Sequence, residues 1–325
     1  MDKNYGSPGP AIEEHSFAPT MPTSKTHFIQ LFGSISVYRN GVGFGATQLG
    51  GTKPRQILTI LAMNLGTPVS KHQLIELLWG EHPPAKALAT LESHVSVLRR
   101  NLQPGFGKAG PLQTATGGYL LDRRVVEVDH DRFDSLLSRA HSAGPAATFA
   151  LLSEALALAG APLLNDEFAL SWAADERARL TVIVTATQVL AAEAAATLGL
   201  AESSIELARA ALANDPLNER AWTALILGLE QVGRPTEGLQ RYERCRRLLH
   251  QELGCSPGQT LRDAHKRLLR ATGDAHEELS EVISALLILH DRLNRSADAP
   301  STVSESLSQA GGVVSAFLRR ALAAV

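Results

Sequence analysis

From Val128 onward, apolar residues recur at helical spacing almost without a break, and nearly every joint carries Gly or Pro. A chain patterned this way has no alternating stretch from which to build a sheet, so its second half must bury its apolar stripes helix against helix. The spacing predicts helices over Asp131–Ala143, Ala146–Ala159, Trp172–Leu198, Ala201–Ala213, Leu217–Val232, Thr236–Leu253 and Pro257–Arg270. Their joints are Gly144-Pro145, Gly160, Gly199, Asp215-Pro216, Gly233 and Gly254. Ala201 and Pro235 open equivalent helices 34 residues apart, the period of a tetratricopeptide repeat. Two or three degenerate repeats are expected.

The first half reads differently. Residues 1–25 are rich in Pro, Ser, Gly and Thr and lack either period, as a disordered leader does. Phe28–Gly33 and Ile35–Tyr38 read as strands, and Asn40-Gly41 is a hairpin turn signal. The run Gly41–Gly45 lacks GxGxxG spacing and reads as turn and strand. Three helices follow: Thr52–Leu65, one opened by Ser70-Lys-His-Gln73 as a capping box, and a third from about Ala85 to Leu102. Leu112–Leu121 then folds as two short strands about Gly117-Gly118. Strands, three helices and a terminal hairpin are the order of a winged helix.

Charge divides along the same line. Residues 26–124 hold ten Lys and Arg against four Asp and Glu, whereas the whole chain is −2. A basic front joined to an acidic back points to a polyanion partner in front, unless the clustering is solvated surface charge. On a helical wheel of the third helix, Lys86, Thr90, Ser93, Val97 and Arg100 share one face, while Leu88, Leu91, Val95, Leu98 and Leu102 lie opposite. A major-groove reader needs that division, with an apolar anchor behind and short donors with an arginine in front. Lys86, Thr90, Ser93, Val97 and Arg100 are therefore expected at base edges. His94 and Asn101 flank that face, and His94, Ser96 and Arg99 are phosphate candidates. Arg123 and Arg124, just past the hairpin, either touch phosphate or form a solvated pair. Tyr119 is expected to pack the hairpin, and Trp79 to serve as a packing lid. Arg241, Arg244, Arg246 and Arg247 read as helical salt pairs with Glu237 and Glu243.

Other functions find little footing. No GxxxxGK[ST], HExxH, GxSxG or CxxC occurs, so no catalytic site, cofactor or metal is expected. Cys245 and Cys255 read as ordinary thiols. No signal peptide is recognisable, no apolar run of about 18 residues is evident, and a cytoplasmic location is expected without membrane contact.

Lys53-Pro-Arg-Gln-Ile-Leu, Val69-Ser-Lys-His-Gln-Leu-Ile-Glu-Leu-Leu-Trp-Gly-Glu, Ser93-His-Val-Ser-Val-Leu-Arg-Arg-Asn-Leu and Gly118-Tyr-Leu-Leu resemble the OmpR-type winged helix of the Streptomyces antibiotic regulatory proteins. The back half resembles their bacterial transcriptional activation domain through Val128–Leu137, Asp175–Leu180, Asp215–Trp222, Gly233–Tyr242 and Glu252–Pro257. Together these pieces cover roughly residues 27–271 in the family's order. The resemblance implies a mainly α fold with a small β component, a winged helix-turn-helix followed by an all-α tetratricopeptide-like domain. The chain is thus expected to divide into a 26–124 DNA-binding domain and a 125–272 activation domain, with a 1–25 leader and a 273–325 helical tail that lie outside the resemblance. The resemblance further implies an activator of a secondary-metabolite (antibiotic) gene cluster that binds a direct-repeat operator on double-stranded DNA as a homodimer. That activator would recruit RNA polymerase holoenzyme through the sigma factor and the C-terminal domain of the polymerase alpha chain. A ligand- or protein-sensing regulator whose DNA binding is gated by a partner is the alternative. Three departures from the family pattern stand out: Val97 stands in an arginine position, Ala115 stands where a wing arginine is common, and Leu158-Ala-Gly-Ala-Pro-Leu lacks the tryptophan usual before that turn.

Overall fold

The computed structural model describes residues 25–106, 110–165 and 171–273. The expected leader and the expected tail beyond residue 273, with its helices near Glu277–Leu293 and Val314–Leu322, lie outside the described residues. The chain splits into two compact units, Met1–Asp131 and Arg132–Val325.

The front unit opens with an antiparallel meander, β1 (His27–Gln30), β2 (Ser36–Arg39) and β3 (Val42–Phe44). Asn40 and Gly41 both take positive φ, as the tight turn between β2 and β3 requires. A fourth strand, β7 (Val126–Val128), pairs parallel with β1, giving the order β3-β2-β1-β7. The pairing of β7 with β1 draws the front unit past its expected end at Arg124. Three helices follow the meander: α1 (Thr52–Met63), α2 (Lys71–Trp79) and α3 (Ala87–Leu102). Between α1 and α2, the two-residue β4 (Val69–Ser70) joins the hairpin β5 (Leu112–Ala115) and β6 (Gly118–Leu121) in a second sheet, β4-β6-β5. The Ser70 hydroxyl accepts from the Gln73 N–H at 3.1 Å, so the α2 cap forms where the sequence places it. Ile57, Leu58, Leu61, Leu74, Leu91, Leu98 and Leu121 are almost fully buried and form the three-helix core.

The back unit is helical: α4 (Asp129–Ala140, whose first turn belongs to the front unit), α5 (Pro145–Leu158), α6 (Ser171–Thr197), α7 (Ala201–Asn214), α8 (Glu219–Gln231), α9 (Pro235–Leu253) and a helical stretch over 259–273. The 34-residue offset holds, since α7 begins at Ala201 and α9 at Pro235. Ile205, Trp222, Leu225, Ile226, Leu229, Tyr242, Leu249, Leu261 and Leu268 form one apolar core. Gly228 permits the close crossing of α7 and α8, because a Cβ there would lie 2.8 Å from Ile205 Cγ1. The turn before α8 is fastened by the Asn218 cap on Ala221 N–H and by Trp222 Nε1 donating to Pro216 O at 2.8 Å.

One expectation changes in this unit. Within α6, Trp172–Thr197 is long and apolar enough to cross a membrane, with a mean hydropathy of 1.4. The helix packs against α5, α7 and α8 instead, and Ala191, Ala192 and Ala195 are fully buried. Alanine raises hydropathy while permitting close helix approach, so the packed side of this helix adds to its apolar character.

Candidate nucleic-acid interface

The α3 helix is held from behind by Leu91, Val95, Leu98 and Leu102, each buried to within a few per cent. Periodicity groups Leu88 with them, but it is 51% exposed. It lies in the first turn of α3, which begins only at Ala87 with Lys86 as the N-cap residue.

The outward arc consists of Ala89, Glu92, Ser93, Ser96 and Arg100, all exposed. At about 100° per residue, this arc is rotated by about 70° from the centre of the face drawn from spacing alone. The cause is a 3₁₀ turn, Ala46–Leu49, whose following glycine lies against α3. A Cβ on Gly50 would stand 2.4 Å from Val97 Cγ1 and 3.0 Å from Asn101 Nδ2, and Gly50 also has φ 99°. Only glycine fits there on both counts. Val97 and Asn101 therefore border the protein's own turn, and Val97 is half-buried instead of standing at the centre of the open face. Thr90, also half-buried, shares that flank.

Of the expected contact residues, Lys86, Ser93 and Arg100 are exposed, and no hydrogen bond or ion pair engages their side chains among the described residues. Thr90 and Val97 sit half-buried on the flank, and the other five are engaged. Ser96 donates its hydroxyl to Glu92 O at 2.8 Å, which removes the proton a phosphate would accept. Arg99 donates to Leu112 O at 3.2 Å and Thr114 Oγ1 at 2.7 Å, with its guanidinium 5.6 Å from the Tyr119 ring. It thereby fixes the angle between α3 and the β5–β6 hairpin. Tyr119 is 4% exposed, packing the hairpin as expected. His94 stacks on Trp79 at 6.5 Å, and Lys53 stands 5.5 Å from that ring while donating to Leu78 O at 2.6 Å. Burial, and secondarily the Lys53 cation, lower the His94 pKa from its usual range, which favours a neutral ring. Trp79 thus serves as the lid where α1, α2 and α3 meet.

Arg123 and Arg124 are held at the hairpin's base. Arg123 donates to Leu65 O at 3.1 Å and Asp131 Oδ1 at 2.7 Å. Arg124 grips Asp122 with Nε and a terminal nitrogen, and these hydrogen bonds lower the Asp122 carboxyl to about 2. Both arginines have intramolecular partners, and both side chains keep much of their surface exposed, 59% and 83%.

Spacing did not single out Glu92 and Lys71, which form an ion pair of 2.6 Å between α3 and the start of α2. The available signal was the wheel itself, because Glu92 falls on the exposed side once the 3₁₀ turn covers the opposite flank. In the back unit, the arginine run behaves as expected in part. Arg241 pairs with Glu237 and Arg246 with Glu243, while Arg247 donates to Glu243 O.

Two families match the chain in sequence. The one described as "Transcriptional regulatory protein, C terminal" matches residues 48–121, and "Bacterial transcriptional activator domain" matches residues 128–269. The chain is 30% identical over 253 residues to the regulatory protein DnrI of Streptomyces peucetius, covering 75% of this chain and 92% of that one. It is 31% identical over 272 residues to the transcriptional regulator RedD of Streptomyces coelicolor, covering 79% and 73% respectively. Among solved structures, Mycobacterium tuberculosis EmbR in complex with a low-affinity phosphopeptide superposes with a TM-score of 0.64 at 28% identity. That match covers 81% of this chain and 71% of the other.

Proposed function

Because the chain belongs to the Streptomyces antibiotic regulatory protein family of DNA-binding transcriptional activators, we propose that it switches on a secondary-metabolite (antibiotic) gene cluster by binding direct repeats near the promoter. In this reading α3 enters the major groove, with Arg100 bidentate on a guanine and Ser93 and Lys86 beside it. Thr90 works at the edge of that contact. The helical unit then meets RNA polymerase holoenzyme, through the sigma factor and the C-terminal domain of the polymerase alpha chain, while two copies occupy the repeated half-sites.

One observation carries the reading. The donors of α3 that face outward, Lys86, Ser93 and Arg100, have no intramolecular partner among the described residues, whereas Arg99, Arg123 and Arg124 are engaged. An exposed Arg100 without an intramolecular partner, on the same helix as Ser93 and just after Lys86, is available to an external acceptor. The test is fluorescence anisotropy of the full chain with promoter fragments from its gene neighbourhood, across a salt series, beside random duplex. Tight binding to one fragment, with a log–log salt slope of several phosphate contacts, is expected. Equal weak binding to every duplex would overturn it. Transcription from the bound fragment with purified holoenzyme then tests recruitment.

A further inference from the structure

We infer that Glu92 reads a cytosine amino group in the major groove, with Lys71 as the counter-charge that lets a carboxylate work among phosphates; this rests on the DNA-binding reading above. Glu92 stands in the open arc of α3, beside Ser96 and Ala89, with its side chain 49% exposed. A bare carboxylate there would be repelled by the phosphates on both sides of a groove. Lys71 removes that penalty by donating to Glu92 Oε1 at 2.6 Å. The second oxygen, Oε2, has no hydrogen-bond partner among the described residues.

The pair is fixed in place from the wing. Lys71 is the first residue of α2, and its N–H donates to Gly117 O at 2.9 Å, at the turn of the β5–β6 hairpin. Its ammonium lies 5.8 Å from the Tyr119 ring, whose surroundings also include the Arg99 guanidinium. The neighbouring Ser96 hydroxyl is turned onto the Glu92 carbonyl, so it does not compete for the carboxylate. What remains is one acceptor of set direction on the outer face of the reading helix. In the major groove, the amino donors are cytosine N4 and adenine N6. Adenine sets its donor beside the N7 acceptor, a pattern that suits an amide, whereas a carboxylate offers only lone pairs. Cytosine is the base that fits.

The experiment selects duplexes from a randomised pool with the full-length chain and with Glu92→Gln, Glu92→Ala and Lys71→Met, each first shown by thermal melting to fold. The pair is on the surface, so the substitutions are expected to fold. The wild type should choose cytosine at one position of each half-site. Glu92→Gln should shift that position toward adenine by at least about fivefold in the selected ratio. Glu92→Ala should lose preference there and keep it elsewhere, and Lys71→Met should weaken binding to all sequences. If all the folded variants choose the same bases as wild type and differ only by a uniform loss of affinity, the pair is a clamp between α2 and α3 and the inference fails. A wild type that selects no sequence at all would instead defeat the DNA-binding reading, and the inference with it.

Discussion

The two units use their arginines differently. In the back unit five of the fourteen described arginines join one helix to another: Arg132 to Glu154, Arg209 to Glu237, Arg220 to Glu193, Arg234 to Glu202 and Arg267 to Glu230, all between 2.5 and 2.8 Å. In the front unit, Arg99, Arg123 and Arg124 brace the hairpin and its base, while Arg100 and Lys86 face outward unpaired among the described residues. Cross-helix pairs suit an array whose helices need registration, and each exposed pair contributes little energy by itself. Unpaired cations suit a surface that meets a polyanion. The difference is one of placement, since the front unit sets Lys86, Ser93 and Arg100 on the open side of one helix.

Substitutions can break this contrast, and the largest effect is expected in the back core. Trp222 is 4% exposed and hydrogen-bonded to Pro216 O, so Trp222→Ala should cost about 3–5 kcal/mol of stability by urea unfolding. Arg100→Ala should cost about 1–3 kcal/mol in operator binding with an unchanged melting temperature. A fall in melting temperature, or an unchanged affinity, would remove Arg100 from the reading face. Arg267→Ala is the control from the other unit. Its surface pair should contribute no more than about 1 kcal/mol of stability, with no effect on operator affinity. If anisotropy showed Arg267→Ala weakening DNA binding as much as Arg100→Ala, the division of labour would be wrong.

The smallest effect is one of pH. His27 is buried, with Nε2 3.2 Å from Leu102 O at the end of α3, and burial lowers its pKa from the usual 6.5. The pKa of His94 is lowered too, first by burial and then by Lys53. A lowered histidine pKa means that the unfolded chain binds more protons, so stability rises with pH across the interval below 6.5 and is lost as pH falls through it. Melting of the full chain should therefore show a front transition that weakens as pH drops below 6.5. His27→Gln, which keeps a donor for Leu102 O, should flatten that slope. The Asp122 carboxyl, lowered to about 2, contributes its stability above the ordinary value of 3.8 and loses it only as pH falls toward 2. Solvent around the exposed Arg124 keeps that contribution small.

Local pattern was enough for the helices, because their apolar stripes, the Ser70 cap and the Gly and Pro joints act within a few residues. The 34-residue offset was equally visible, since a glycine-ended helix precedes each of its two starts, Ala201 and Pro235. Two short strands that local pattern does not announce, Val69–Ser70 and Val126–Val128, exist only because distant partners pair with them; two or three residues carry no period of their own.

The polar side of α3 shows the same limit. Periodicity separated the buried stripe of α3 from its polar side, and it placed Arg100 and Ser93 where the structure leaves them exposed. It could not know that Gly50 would seat against Val97, that Arg99 would turn onto Thr114, or that Lys71 would reach Glu92. The sequence of α3 thus specified a helix with one apolar side, because that depends on residues three and four apart. Which part of the other side stays open, and which cations remain unpaired, depended on contacts with segments up to about fifty residues away, brought there only by the folded core.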